Sequence, residues 1–228
     1  MDYFEAVSRR RSVRRYTATL VPDSVIDKAI DAALLAPNSS NLQTWGFYWV
    51  KSSDSRQKLV QACLGQGAAR TAKHLVVVTA DRKLWKQSRD ALLDSYKDGS
   101  APAIVKTYYQ KIVPFLYAYS LLAPLKWLLL NITGLFKPIS RRPFSAGSVD
   151  EICIKSAALG AENFMLAVSA QGYDTCPMEG FDEVRVKKIL GLSCSTRVVM
   201  VISAGERDSR GIWGEQFRVP KSWRVQVV

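Results

Sequence analysis

The chain has almost no histidine, a side chain on which many hydrolases and metalloenzymes depend. Its 228 residues include a single histidine, His74, so a site with several histidine ligands is excluded and a Ser-His-Asp triad would depend on that residue alone. His74 opens the apolar run 75–78, where we expect a buried structural role. The four cysteines are far apart and form no C-x-x-C pair. This spacing is typical of reduced thiols and predicts no metal site.

Two nucleotide-binding motifs are also missing. The sequence contains neither G-x-G-x-x-G nor a Walker loop, so a nucleotide would not be held by a glycine-rich loop. Residues 2–11 have no apolar signal-peptide region and predict the first helix of a mature domain. The length suits one domain, residues 1–228, with a substantial core. We therefore expect a single-domain, cytoplasmic protein.

Positive charge is in excess. The formal net charge is +12 at pH 7, and five of the seven residues from Arg9 to Arg15 are arginine. A guanidinium fork matches phosphate oxygens two at a time, and Ser12 adds a neutral donor to the run. The run therefore predicts a phosphate-binding segment. The phosphate could belong to a nucleic-acid backbone, a membrane headgroup or a phosphorylated cofactor.

Apolar periodicity outlines an α+β domain. It predicts helices at residues 23–36, 54–66 and 150–172, and strands at 46–50, 75–79 and 198–204. The last two strands are continuous apolar runs, which are typical of buried strands. This order of elements predicts a mixed sheet covered by helices.

Residues 99–149 form a basic and apolar insertion in this pattern. The segment contains six basic residues and no acidic one, and it is rich in large apolar side chains. Pro124 and Lys126 interrupt its apolar stretch, so neither half reaches the roughly 20 residues needed to span a bilayer. Three interpretations remain open: a lid over a pocket, an additional dimer contact, or a membrane-surface element at residues 105–140 that sits on anionic lipid.

Five short motifs at characteristic positions carry a family resemblance. They are RRSVRRY (10–16), APNSSNLQTW (36–45), NFMLA (163–167), PMEGFD (177–182) and FRVP (217–220). With these motifs, residues 1–90 and 150–220 resemble the nitroreductase family of flavoproteins. The resemblance implies an α+β fold with a mixed, mainly antiparallel sheet flanked by helices. It also implies an intertwined homodimer with two FMN sites at the interface.

The resemblance implies roles for the arginine run. Arg10, Arg11 and Ser12 match the family's FMN phosphate site, and Arg218 matches the distant arginine that closes it. Arg14 matches the basic residue that reaches the flavin ring and ribityl oxygens. Arg9 and Arg15 lie off this pattern, and we expect them to be surface charges.

The resemblance also assigns two loops to the cofactor. Asn38, Ser39, Ser40 and Asn41 match a loop that contacts FMN from the partner subunit, and Gln43 belongs to the same motif. In the turn that follows Cys176, Pro177 would pack on the flavin ring and Met178 is part of the same motif. The backbone amides of Glu179 and Gly180 would address O4 and N5 of the ring.

Two positions depart from the family pattern. The residue that touches the flavin pyrimidine edge has no secure match, so Gln66 and Arg70 are both candidates. Gln216 stands where a second phosphate-binding base is often found. The resemblance therefore leaves part of the site open.

The implied reaction is NAD(P)H-dependent oxidoreduction. Hydride passes from NAD(P)H to N5 of FMN, and an electron-poor, hydrophobic acceptor such as a nitroaromatic or quinone is then reduced in a ping-pong sequence. No catalytic side chain is needed, because the cofactor performs the chemistry. We expect no nucleic-acid partner. The alternatives are a reductive dehalogenase-like or flavin-degrading enzyme, and a non-catalytic basic protein that binds membrane or nucleic acid.

Overall fold

The computed structural model describes residues 1–96, 100–118 and 122–228. Four strands form one sheet in the order β1-β2-β4-β3, and every pair of neighbouring strands is antiparallel. The strands are β1 (Trp45–Trp49), β2 (His74–Asp81), β3 (Asp174–Met178) and β4 (Thr196–Gly205). A bridge between Ser12 and Thr175 adds a parallel pairing at the β3 edge. The predicted α+β fold with a mainly antiparallel sheet is confirmed.

Helices cover both faces of this sheet. In chain order they are α1 (Tyr3–Arg9), α2 (Asp23–Leu34), α3 (Ser53–Ala62), α4 (Gly67–Thr71), α5 (Trp85–Asp94), α6 (Ala103–Thr107), α7 (Val113–Tyr117), α8 (Ala123–Phe136), α9 (Ala146–Ala170) and α10 (Glu183–Leu190). A π-helical turn, Tyr108–Ile112, joins α6 to α7.

The side chains of β2 divide the core into two layers. Val76, Val78 and Ala80 pack under α2 and α9, whereas Leu75 and Val77 pack under α3, α4 and α10. This division follows from the strand geometry, because successive side chains point to opposite faces of a sheet. Residues 74–81 are half-buried at both ends and buried between them, so the predicted buried strand is confirmed.

Helix α9 is the central helix of the first layer. Gly160 lets it approach β1 and α2 closely, because a Cβ there would lie 3.0 Å from the Phe47 ring and 3.3 Å from the Ala33 carbonyl oxygen. Ser145 caps its first turn by accepting a hydrogen bond from the Ser148 amide. Among the described helices, α9 alone has the length and apolar composition of a membrane span, and half of its apolar window is buried. These contacts identify it as a core helix.

Other sequence-based predictions need correction. The helix predicted at 54–66 ends at Ala62, because Leu64 and Gly65 adopt positive φ angles of 58° and 64°. Strand β3 was not predicted because Pro177 resembles a turn residue. Proline has no N–H to donate, and it fits here because β3 is an edge strand. Helix α10, capped by the Asp182 side chain, was also missed.

The insertion folds as two unequal parts. Within residues 99–149, residues 99 and 119–121 lie outside the described part of the chain. Helices α6 and α7 with the π-helical turn form the first part, and Val113 and Tyr117 enter the core there. Helix α8 forms the second part and contributes no buried residue.

A buried ion-pair network joins α9 to the sheet. Asp150 accepts hydrogen bonds from Arg82 Nη1 at 2.7 and 2.8 Å and from Arg197 Nε at 3.0 Å. The Asp150 side chain is 7% exposed. Burying one charge without its partner is costly, so these three residues depend on one another.

We expect Asp150→Asn to lower the free energy of unfolding by about 3 kcal/mol, because both arginines would lose their countercharge. Chemical denaturation measures this change. Glu151→Gln is the matched control, since Glu151 is the next residue on α9 and pairs with Arg142 and Lys155 at the surface. Equal effects of the two substitutions would contradict a special role for the buried network.

Candidate functional site

The two ends of the chain meet at a cavity rich in arginine. This cavity has a volume of about 200 Å³ and is lined by residues of the 10–14 run and of the segment 212–218. The structure brings together five of the residues predicted to bind the cofactor. They are Arg10, Arg11, Ser12, Arg14 and Arg218. We call this cavity the arginine pocket.

Backbone hydrogen bonds hold the arginine run in an extended form along β3. The Val13 amide donates to the Thr175 carbonyl at 3.0 Å, and the Arg14 amide donates to the Gly211 carbonyl at 2.8 Å. Val13 is fully buried, while its neighbours Ser12 and Arg14 line the arginine pocket. Alternation along an extended segment therefore separates the anchoring side chain from the two that face the cavity.

The arginines of the pocket retain unused donors. A guanidinium offers five N–H donors, yet Arg11 and Arg218 each donate to one nearby carbonyl, of Gly214 and Phe217 respectively. Arg10 Nε is buried and has no hydrogen-bond partner among the described residues, and it lies 3.6 Å from a Glu162 oxygen. This donor set fits a phosphate group.

Trp213 covers the remaining arginine of the pocket. The Arg14 guanidinium carbon lies 4.4 Å from the centre of the Trp213 ring, a cation–π contact. Arg14 and Trp213 also line a second cavity of about 410 Å³, together with Gln66. The arginine pocket therefore continues into a larger space at this pair.

Gln66 connects the second cavity to the turn after β3. Its side-chain amide donates to the Gly180 carbonyl at 2.6 Å, and Gly180 and Glu179 are exposed. Pro177 is half-buried, whereas the Met178 side chain lies in the second core layer. The sequence left Gln66 and Arg70 as candidates for the residue that touches the flavin pyrimidine edge. Gln66 lies at the turn after β3, whereas Arg70 is exposed on α4.

The prediction for Arg9 was wrong. Arg9 is not a free surface charge, because it donates to the carbonyls of Ser169 and Gly172 and pairs with Asp174. Its carboxylate partner is 165 positions away in the sequence, so the run alone could not reveal it. Arg15 is exposed and pairs with Asp208, as expected of a surface charge.

The amide-rich loop lies outside the arginine pocket. Asn41 and Gln43 line a separate cavity of about 550 Å³ with side chains of α5. Three residues of the loop have φ angles in the left-handed region, Ser40 at 56°, Asn41 at 50° and Gln43 at 44°. Such conformations persist where surrounding contacts enforce them. The expectation that this loop meets the cofactor of the partner subunit stays a prediction.

Hydrogen bonds from the insertion fix this loop. Tyr117 donates to Ser39 Oγ at 2.7 Å, the Tyr108 hydroxyl lies 2.7 Å from Ser40 Oγ, and Tyr109 donates to the Ser40 carbonyl at 2.9 Å. We call these three residues the tyrosine clasp. Burial raises the pKa values of Tyr117 and Tyr109, so their hydroxyls stay protonated near neutral pH. Within the loop itself, Asn38 Oδ1 accepts a hydrogen bond from the Gln43 backbone amide at 2.8 Å.

The fold and the motifs agree with a known family. Residues 7–206 match the model of the "Nitroreductase family". The chain belongs to this family.

Several relatives support the assignment. The "Putative NAD(P)H nitroreductase MhqN" of Bacillus subtilis is 27% identical over 228 residues, covering 99% of this chain and 96% of that protein. "Protein DrgA" of Synechocystis is 27% identical over 212 residues, covering 91% of this chain and 85% of that protein. A solved "putative nitroreductase in complex with FMN" from Exiguobacterium sibiricum has a TM-score of 0.74 at 22% identity, covering 100% and 98% of the two chains.

Three features of the candidate site were not found from the sequence. The tyrosine clasp joins residues that are separated by 68 to 78 positions in the sequence. The one sequence feature that could have indicated it is the adjacent pair Tyr108 and Tyr109. Trp213 was not singled out, although it lies four residues before the 217–220 motif. Gln66 was a candidate, but its contact with Gly180 spans 114 positions and no spacing rule predicts it.

Removing two hydroxyls of the clasp should loosen the loop. We expect Tyr108→Phe combined with Tyr117→Phe to raise amide hydrogen exchange at residues 39–43 by roughly 5-fold or more, since each lost hydrogen bond is worth about 1 kcal/mol. Tyr173→Phe is the matched control, because Tyr173 packs against the same core layer. Unchanged exchange at 39–43 in the double variant would show that the clasp does not hold the loop.

Proposed function

We propose that this protein is an FMN-dependent oxidoreductase that takes hydride from NAD(P)H and reduces an electron-poor, apolar acceptor. One observation carries the proposal: a cavity lined by four arginines, of which Arg10 has a buried Nε with no hydrogen-bond partner among the described residues. Family membership supports it, as does the similarity to a putative NAD(P)H nitroreductase and to a putative nitroreductase in complex with FMN.

In this proposal, residues from two cavities share the cofactor. Arg10, Arg11 and Arg218 bind its phosphate through bidentate hydrogen bonds, and Ser12 adds a hydroxyl donor. The turn at Glu179 and Gly180, which Gln66 holds, faces the ring. When bound, FMN supplies a two-electron carrier that links NAD(P)H oxidation to reduction of an acceptor.

The protein's own contribution is positioning and charge. The Arg14 guanidinium is a fixed positive charge beside the second cavity, where it would stabilise negative charge that develops during reduction. Burial raises the pKa of Cys176 despite the nearby Arg14, so its thiol stays protonated and acts as a packing residue. His74 is occupied on both ring nitrogens, by Trp49 and by the Val21 carbonyl. A covalent or acid–base role for these side chains is therefore not part of the proposal.

In this proposal, the order of reaction follows because NAD(P)H and the acceptor use the same space beside the cofactor. NAD(P)H and the acceptor would enter the same space in turn, which gives ping-pong kinetics. Nitroaromatics and quinones are the proposed acceptor classes. The homodimer that the family resemblance implies and the cytoplasmic location expected from the sequence belong to the same proposal.

An absorbance spectrum of the purified protein is the direct test of cofactor content. We expect an oxidised-flavin spectrum, FMN on release by heat, and a stoichiometry of one per chain. NAD(P)H should bleach the spectrum, and a quinone should restore it after NAD(P)+ has been removed. A colourless protein that takes up no added FMN would overturn the proposal, and salt-sensitive binding to nucleic acid would then favour a basic binding protein.

The arginine pocket predicts a graded loss of FMN affinity. We expect Arg10→Gln and Arg218→Gln each to raise the dissociation constant of FMN on the order of 10- to 100-fold, since a hydrogen bond to a charged group is worth about 1.5–3 kcal/mol. Titration of the apoprotein by flavin fluorescence measures this constant. Arg142→Gln is the control, because Arg142 lines neither cavity and pairs with Glu151 at the surface. Equal losses for all three variants would indicate a non-specific charge effect.

A further inference from the structure

Helix α8 exposes a large apolar surface to solvent. Its large apolar side chains are between 46% and 84% exposed, except Leu130, which is half-buried. They are Leu125, Trp127, Leu128, Leu129, Ile132, Leu135 and Phe136. A contiguous apolar patch of this kind marks an interaction surface. By contrast, α7 is fixed to the core through Val113 and Tyr117.

A groove runs along the same helix. It lies between α7 and α8, has a volume of about 770 Å³, and is lined mainly by apolar side chains. Its charged lining residues are Lys126 and Lys137. Lys126 Nζ donates to the Phe115 carbonyl at 2.6 Å and lies 4.7 Å from the centre of that ring. The groove thus combines apolar walls with positive charges at its rim.

The charge around the patch selects the kind of partner. Six basic residues and no acidic residue occur between positions 99 and 149, and Lys111, Lys137 and Arg141 are exposed. A symmetric contact between this patch and the same patch of a second copy is a poor complement, because it would bring two sets of these basic residues together. An anionic surface with an apolar interior attracts the basic residues and also buries the apolar side chains.

The length of α8 fixes its orientation on such a surface. With 14 residues, the helix is about 21 Å long, which is too short to cross the hydrocarbon core of a bilayer. A short apolar helix with basic flanks lies in the plane of the interface.

We propose that α8 and the groove beside it dock the protein on an anionic phospholipid membrane. The docking depends on residues of the insertion and not on the proposed flavin reaction. It would bring the protein to the phase in which apolar acceptors dissolve. The tyrosine clasp joins the same insertion to the 38–43 loop, so the docked helix and the loop share one support.

Vesicle flotation of the full-length protein tests the docking. We expect binding to vesicles of phosphatidylcholine mixed with phosphatidylglycerol, weak binding to phosphatidylcholine alone, and loss of binding as salt rises. Lys111→Gln with Lys137→Gln should weaken binding on the order of 25-fold, since each basic residue contributes about 5-fold at an anionic surface. The control is Lys58→Gln with Lys188→Gln, on α3 and α10. No binding to the anionic vesicles at low salt would overturn the proposal.

A second pair of variants tests the apolar part. Leu128→Glu with Leu129→Glu should abolish flotation, whereas Leu20→Glu should not, although Leu20 is 83% exposed. Circular dichroism and flavin content report whether each variant has folded. If the α8 variant changes the oligomeric mass in light scattering and leaves flotation intact, a protein surface covers the helix and the lipid proposal fails. Equal binding of all variants to uncharged vesicles would overturn it as well.

Discussion

The candidate site depends on keeping a dense run of positive charge extended along the edge strand β3. Like charges so close together repel one another, and a free segment would spread them into solvent. Here the hydrogen bonds from Val13 to Thr175 and from Arg14 to Gly211 fix the backbone, and Tyr16 is buried against Ser203. The run is therefore held by its backbone and its apolar side chains, and Arg10, Arg11 and Arg14 line the arginine pocket.

The insertion divides its residues between two tasks. Its first part is a support, because Tyr117 is 2% exposed and the tyrosine clasp holds the strained 38–43 loop. Its second part, α8, is almost entirely surface. The three interpretations of this segment from the sequence treated it as one element. The structure separates them, since the contacts with the loop belong to α7 and the π-helical turn, whereas the apolar surface belongs to α8.

Sequence reasoning succeeded where a local pattern carries the structural constraint. The buried strands, α9 and the meeting of Arg10 with Arg218 followed from periodicity or from motifs. It failed where the constraint is a contact between distant positions. Arg9 resembled its neighbours in the run, yet its carboxylate lies on β3. Pro177 indicated a turn, because only the finished sheet shows that β3 is an edge strand.

The excess positive charge of the chain is distributed unevenly, and this distribution connects the two proposals. Where arginines stabilise the fold, buried carboxylates balance them: Asp150 binds Arg82 and Arg197, and Asp174 binds Arg9 and Arg207. The arginine pocket has one acidic lining residue, the exposed Glu215, and the insertion has none. Because unbalanced charge costs solvation when it is buried, a chain retains it where an anion supplies the balance. The pocket suits a compact anion such as a phosphate group, and the insertion suits an extended anionic surface.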